Sequence, residues 1–208
     1  GNEMTGLILK DLLYLRRTAR VLIGLGAFYL IMFLTADSAD TSSGMLASVV
    51  VLLTMILSMN AFGYDELAKW RMYERSLPVP TSRIILARYL AALIFSAGLT
   101  LLSFLLELFA GLTQETVTVL LSAWSAALLL CAVLFPIVYK FGLQKARFLL
   151  IAVALLPTAA ALLLKNLNLS APSEADLQVW LNLFPVLAVA GFLLSFRLSC
   201  RIYAKKED

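Results

Sequence analysis

The run Tyr64–Pro80, YDELAKWRMYERSLPVP, gathers the densest set of chemically capable side chains in this 208-residue sequence. Asp65 and Lys69 stand at i and i+4, acid before base, and Arg71 and Glu74 at i and i+3. These are the spacings at which opposite charges meet on a helix. Trp70, Tyr73 and Leu77 share one face of that helix. Pro78 and Pro80 end it, because proline lacks the amide a continuing helix needs. Thr81 or Ser82 is placed to cap a new helix through Ile84, Arg88 and Tyr89. A solvated loop needs neither the aromatics nor a two-proline stop. Aromatic anchors ringed by charge suit docking to another protein, with decoration of a membrane interface as the competing reading.

Catalytic chemistry has little to work with. The chain has no histidine, which excludes HExxH metalloproteases and Ser-His or Cys-His nucleophile systems. None of its ten glycines belongs to a GxxxxGK[ST] phosphate loop, so this chain does not cradle ATP phosphates by that route. Cys131 and Cys200 fall at different depths of the apolar pattern and read as packing residues. Two thiols without an imidazole make a poor metal site. Glu107 is the single acid deep in an apolar run, roughly 28 Å along a helix from Arg88. An ionisable group at such depth faces a cavity or a partner. Glu107 therefore either lines a substrate path or plays a packing role, snorkelling to the interface or hydrogen-bonding a neighbouring Ser or Thr. An enzyme is the weaker reading of this chain.

The elements that must position these residues are membrane helices. A hydrophobic fraction of 62% with 14% charged residues lies far from the composition of soluble domains. Six apolar runs read as crossings: Val21–Ala36, which is short and begins inside the preceding Thr18–Arg20 turn, then Gly44–Gly63, Tyr89–Leu112, Val117–Tyr139, Phe148–Leu164 and Trp180–Phe196. Sixteen of the 17 Lys and Arg residues group on one side of these crossings, and Lys165 alone lies on the other. That asymmetry marks the cytoplasmic side and places both termini there. The same topology explains the basic pI without a polyanion, so nucleic acid binding is excluded. The outer connections are Asp37–Ser43, Thr113–Thr116 and Lys165–Val179. Pro136, Pro157 and Pro185 are positioned to kink the last three crossings.

Met4–Arg20 places Leu7, Ile8, Leu12 and Leu15 on one helical face, with Lys10, Arg16, Arg17 and Arg20 largely off it. It reads as an amphipathic helix lying along the inner membrane interface. No small-residue cleavage pattern marks it as a signal peptide. Gly1-Asn2-Glu3 ahead of Met4 reads as a cloning remnant. The expected fold is one all-α polytopic membrane domain over residues 1–208.

Asp65-Glu66-x-x-Lys69-Trp70-x-x-Tyr73, followed by Ser76-Leu77-Pro78-Val79 and then Arg83, Ile84 and Arg88-Tyr89, resembles the signature of bacterial type-2 ABC transporter permeases. The likeness is to the group that includes the exporters of phenol-soluble modulins and antimicrobial peptides. Leu7-x-x-Lys10-Asp11-Leu12 is similar to that group's opening. The resemblance implies a non-catalytic permease subunit of the bacterial cytoplasmic membrane, paired with a second copy or a sister permease. ATP and Mg would be bound by a separate ABC ATPase subunit, with no cofactor in this chain. Segment 64–80 would be the coupling helix, with Asp65, Glu66, Lys69, Trp70, Tyr73 and Glu74 gripping the ATPase. Lys165–Val179 resembles the short outer helices that cover the exit. The implied cargo is an amphipathic peptide, a toxin or antimicrobial peptide, with lipids or small drugs as the alternative. The competing class is an ATP-independent transporter or channel, which calls for several ionisable or broken-helix features at mid-depth.

Overall fold

Long apolar runs with few helix breakers make long helices, and four of them organise the chain. A computed structural model describes residues 39–67, 80–148 and 174–205, with isolated positions at 9, 23–24, 26–28, 31, 35, 151–153 and 155. The four are α1 (Ala39–Leu67), α2 (Thr81–Ala110), α3 (Gln114–Phe141) and α4 (Glu174–Ala204). Each contains a stretch long and apolar enough to cross a membrane. They correspond to the second, third, fourth and sixth expected crossings. Apart from those isolated positions and Phe148, the first and fifth crossings and the amphipathic start lie outside the described residues, as do residues 68–79 and Pro157.

Three of the four, α1, α3 and α4, overrun their expected crossings at both ends, whereas α2 begins at Thr81, ahead of Tyr89, and stops at Ala110, short of Leu112. At 28 to 31 residues and about 1.5 Å per residue all four run roughly 40–45 Å, past the ~30 Å hydrocarbon core. Hydropathy marks where charge begins, but backbone hydrogen bonds continue past that point. Hence α1 starts at Ala39 inside the expected outer connection and passes through Gly63 and Tyr64 without a break. The expected start of a separate helix at Tyr64 is corrected accordingly. Likewise α4 begins at Glu174, within the expected Lys165–Val179 connection.

Helix ends also correct one expectation and refine another. Neither Thr81 nor Ser82 caps α2: Pro80 is its N-cap, extended at φ −63° and ψ 137°, with no side-chain cap bond. The Pro80 carbonyl instead accepts from the amide of Arg83 at 2.9 Å. At the other end Gly111 stops α2 at φ +110°, a conformation that favours glycine. Thr113 then caps α3, its hydroxyl accepting from the amide of Thr116 at 3.2 Å. So the Thr113–Thr116 connection is the first turn of α3.

α3 lies at the centre, touching α1, α2 and α4, and packs most extensively on α4. Leu120, Ala127, Leu128, Cys131, Leu134 and Phe135 are all almost fully enclosed, at the three- and four-residue spacing that brings one side of a helix inward. Apolar side chains gain little by leaving lipid, so polar contacts and close backbone approach supply much of the association. The indole nitrogen of Trp124 donates to the Ser96 hydroxyl at 3.2 Å. The Ser58 hydroxyl meets the Cys131 sulfur at 3.6 Å, consistent with a packing role for that thiol. Gly191 lets α4 approach α3: a Cβ there would stand 3.2 Å from Leu129 Cδ2. Gly191→Leu is therefore expected to pry the two helices apart and cost about 1–3 kcal/mol. Thermal denaturation of the purified protein in detergent checks this, with Gly191→Ala close to wild type because the end of Leu129 yields.

Candidate functional site

Three helix ends that the chain order keeps apart come together around Arg88. Among the described Lys and Arg residues it alone is buried; Arg83, Lys140, Lys145, Arg147, Arg197, Arg201 and Lys205 are exposed. All eight lie toward the same end of the bundle, where α1, α3 and α4 finish and α2 begins. The guanidinium of Arg88 forms an ion pair with the carboxylate of Asp65 at the end of α1 and lies 4.5 Å above the centre of the Phe62 ring. A guanidinium suits this place because its flat face stacks on an aromatic ring while its edge donates to a carboxylate.

Glu66, one residue on, reaches a different element. Its Oε1 accepts from the amide of Leu143 at 3.1 Å. Leu143 follows Gly142, which ends α3 at φ +85°, and opens a helical stretch at 143–148. Leu143 and Ala146 face inward, almost fully buried, while Gln144, Lys145, Arg147 and Phe148 are exposed. The two acids at the end of α1 thus hold α2 and the segment after α3.

Above these polar contacts sits an aromatic cluster shared by all four helices. Phe62 meets Phe135 and Tyr139 edge to face at 5.4 and 5.5 Å. Tyr139 meets Tyr203 at 5.6 Å. Tyr89 packs against Phe135, Phe192 and Phe196 at 4.7, 4.9 and 5.5 Å. Each such pair contributes about 0.5–1.5 kcal/mol beyond the area it covers. The Tyr89 hydroxyl also meets the hydroxyls of Ser195 and Ser199 at 2.7 and 2.8 Å, and Ser195 donates to the Ala132 carbonyl at 2.5 Å. One tyrosine therefore ties α2 to α4 and, through Ser195, to α3. Tyr89→Phe keeps the ring and removes the hydroxyl, so a loss of about 1–2 kcal/mol in thermal unfolding is expected. Tyr89→Ala should cost more, since a cavity is added to the lost bonds.

Of the residues singled out from the sequence, Asp65 and Glu66 are placed here, while Lys69, Trp70, Tyr73 and Glu74 lie outside the described residues. The sequence reading missed the inward partners Phe62, Leu143, Ser195 and Ser199. Two signals were available: serines four apart on α4, and a glycine between Phe141 and Leu143.

Glu107 lies toward the opposite end. It is fully enclosed, at the end of a buried polar stripe on α2 formed by Ser96, Thr100, Ser103 and Glu107. Ser96, Thr100 and Ser103 return their hydroxyls to carbonyls of their own helix, of Leu93, Ser96 and Leu99. An open cavity of about 390 Å³ at that end is lined by Ser43, Gly44, Gln114, Glu115, Thr118, Val119 and Leu181; Glu107 does not line it. No group of acids and thiols among the described residues could hold a metal ion.

Residues 6–204 match the family model described as ABC-2 family transporter protein. Neither the comparison with curated proteins nor that with solved structures gives a match.

Proposed function

Since the chain belongs to the ABC-2 family of transporter proteins, a family of membrane permease components, we propose that it forms the path of an ATP-driven exporter for amphipathic peptides. In this reading the end carrying all the described Lys and Arg residues faces the cytoplasm, as positive charge does in membrane proteins. Segment 64–80 is then the handle that a separate ABC ATPase moves. Lys69, Trp70, Tyr73 and Glu74 touch that ATPase, and Asp65 and Glu66 fix the root of the handle to the bundle.

The observation that carries this reading is the Asp65–Arg88 ion pair on the Phe62 ring. It fastens the near end of 64–80 to α2 seven residues after that helix begins, so a push on the segment moves helices rather than a loose loop. Packed elements have discrete arrangements and pass rigid-body motion on. The apolar helix surfaces and the scarcity of charge in the spans suit a cargo that is itself partly apolar.

The test is transport. Inside-out vesicles holding the permease and its ABC ATPase partner should accumulate a dye-labelled Leu/Lys amphipathic peptide only when ATP is hydrolysed. Uptake of a labelled phospholipid in place of the peptide would reassign the cargo, and peptide movement indifferent to ATP would favour an ATP-independent carrier.

Glu107 takes the packing role here, because it is enclosed on the α2 stripe and does not line the cavity of about 390 Å³ at that end. Glu107→Gln, which keeps shape and a carbonyl oxygen, is expected to leave peptide uptake within about twofold of wild type across pH. A pH-dependent collapse of uptake in that variant would return Glu107 to the substrate path.

A further inference from the structure

We propose that Glu66 is a positioning residue that clamps the segment after α3 to the root of 64–80, so that the two connections at the basic end move as one body. The inference rests on the exporter reading above and adds a second moving part to it.

The geometry behind it is a hinge with a latch. Gly142 turns the chain at φ +85° after α3, and its amide still donates to Val138 at 2.9 Å. Its carbonyl then accepts from Ala146 at 3.2 Å, opening the next helical stretch. A glycine at such a junction leaves two helical pieces free to pivot. Glu66 closes the pivot from outside both pieces, its carboxylate holding the Leu143 amide that the turn leaves without a helical partner. The contact is close in the backbone as well: a Cβ on Gly63 would stand 3.6 Å from Leu143 Cδ2. The segment so held carries exposed Lys145 and Arg147 and leads toward the next apolar run. Displacement of α1's end is thus delivered to α2 through Asp65 and to residues 142–148 through Glu66.

This role differs from a charge contact with the ATPase, and one substitution separates them. Glu66→Gln keeps an Oε1 that accepts from the Leu143 amide but carries no charge. Glu66→Ala removes both. In the permease–ATPase vesicles, labelled peptide moved per ATP hydrolysed should fall about five- to tenfold in Glu66→Ala, on the scale of one lost hydrogen bond. Glu66→Gln should stay within about twofold of wild type. In the permease alone, deuterium exchange at the Leu143 amide should quicken about tenfold in Glu66→Ala and return toward wild type in Glu66→Gln.

A Gln variant as impaired as Ala in transport would overturn the clamp in favour of a charge contact. Unchanged exchange at Leu143 in Glu66→Ala, or an unchanged transport-to-hydrolysis ratio, would overturn it as well. A wild-type complex that moves no peptide on ATP would instead sink the exporter reading, and the exchange measurement in the permease alone would still decide whether the latch exists.

Discussion

Arg88→Ala is expected to be among the most damaging single substitutions at the basic end of the bundle. It strips the guanidinium from Asp65 and from the Phe62 ring at once. Removing one partner of a buried ion pair costs about 3–5 kcal/mol, because the other charge is left desolvated. Asp65 keeps 16% of its side-chain surface, so the lower end of that range applies, still a large share of the ~5–15 kcal/mol that holds a typical domain together. Arg88→Lys should recover part of the loss, since an ammonium keeps the charge but not the flat face that stacks on Phe62. Exchanging the pair, Asp65→Arg with Arg88→Asp, should be less stable than wild type and more stable than either half alone. Thermal unfolding of these five variants in detergent reads this order directly. A double variant no better than the worse single one would show that the pair itself matters less than the packing around it.

The second large effect is on function and leaves the bundle standing. Trp70→Ala combined with Glu74→Lys is expected to lower ATP-dependent peptide uptake at least about tenfold, the scale of losing one aromatic anchor and reversing one charge at a docking surface. Thermal stability is expected to stay close to wild type for residues that act on the ATPase, and measuring it separates lost docking from lost folding. Co-purification with the ATPase should weaken in parallel. Wild-type uptake and assembly in this variant would remove the docking role from both residues.

Composition, charge and period made much of the architecture legible. The apolar runs beginning near Gly44, Tyr89, Val117 and Trp180 are helices in the structure, because about 20 apolar residues have few other ways to satisfy their backbone in lipid. The one-sided Lys and Arg pattern holds in space for every described basic residue. Where the helices stop was not legible from apolarity. The stops at Gly111 and Gly142 follow from positive φ, and the extensions of α1 to Leu67 and of α4 back to Glu174 follow from continued backbone hydrogen bonding through polar residues.

The candidate site was legible by position and less so by contact. The spacing of Asp65 and Glu66 spoke of helix pairs and of a partner, because local spacing reports only neighbours along one helix. Their partners in the structure come from residues 23 and 77 positions away, which periodicity does not reach. Ser195 and Ser199 were readable as a pair on one face, but nothing in the sequence linked them to Tyr89 across the bundle. Arg88 looked like one more topogenic cation among five in its segment, until burial set it apart.

The exporter reading requires that segment 64–80 be gripped by an ABC ATPase. A photo-reactive amino acid placed at Tyr73, in cells expressing the chain with its ABC ATPase partner, tests that contact at the residue concerned. The account predicts a light-dependent adduct containing both proteins. Adducts with lipid only, in cells where the ATPase is abundant, would contradict it.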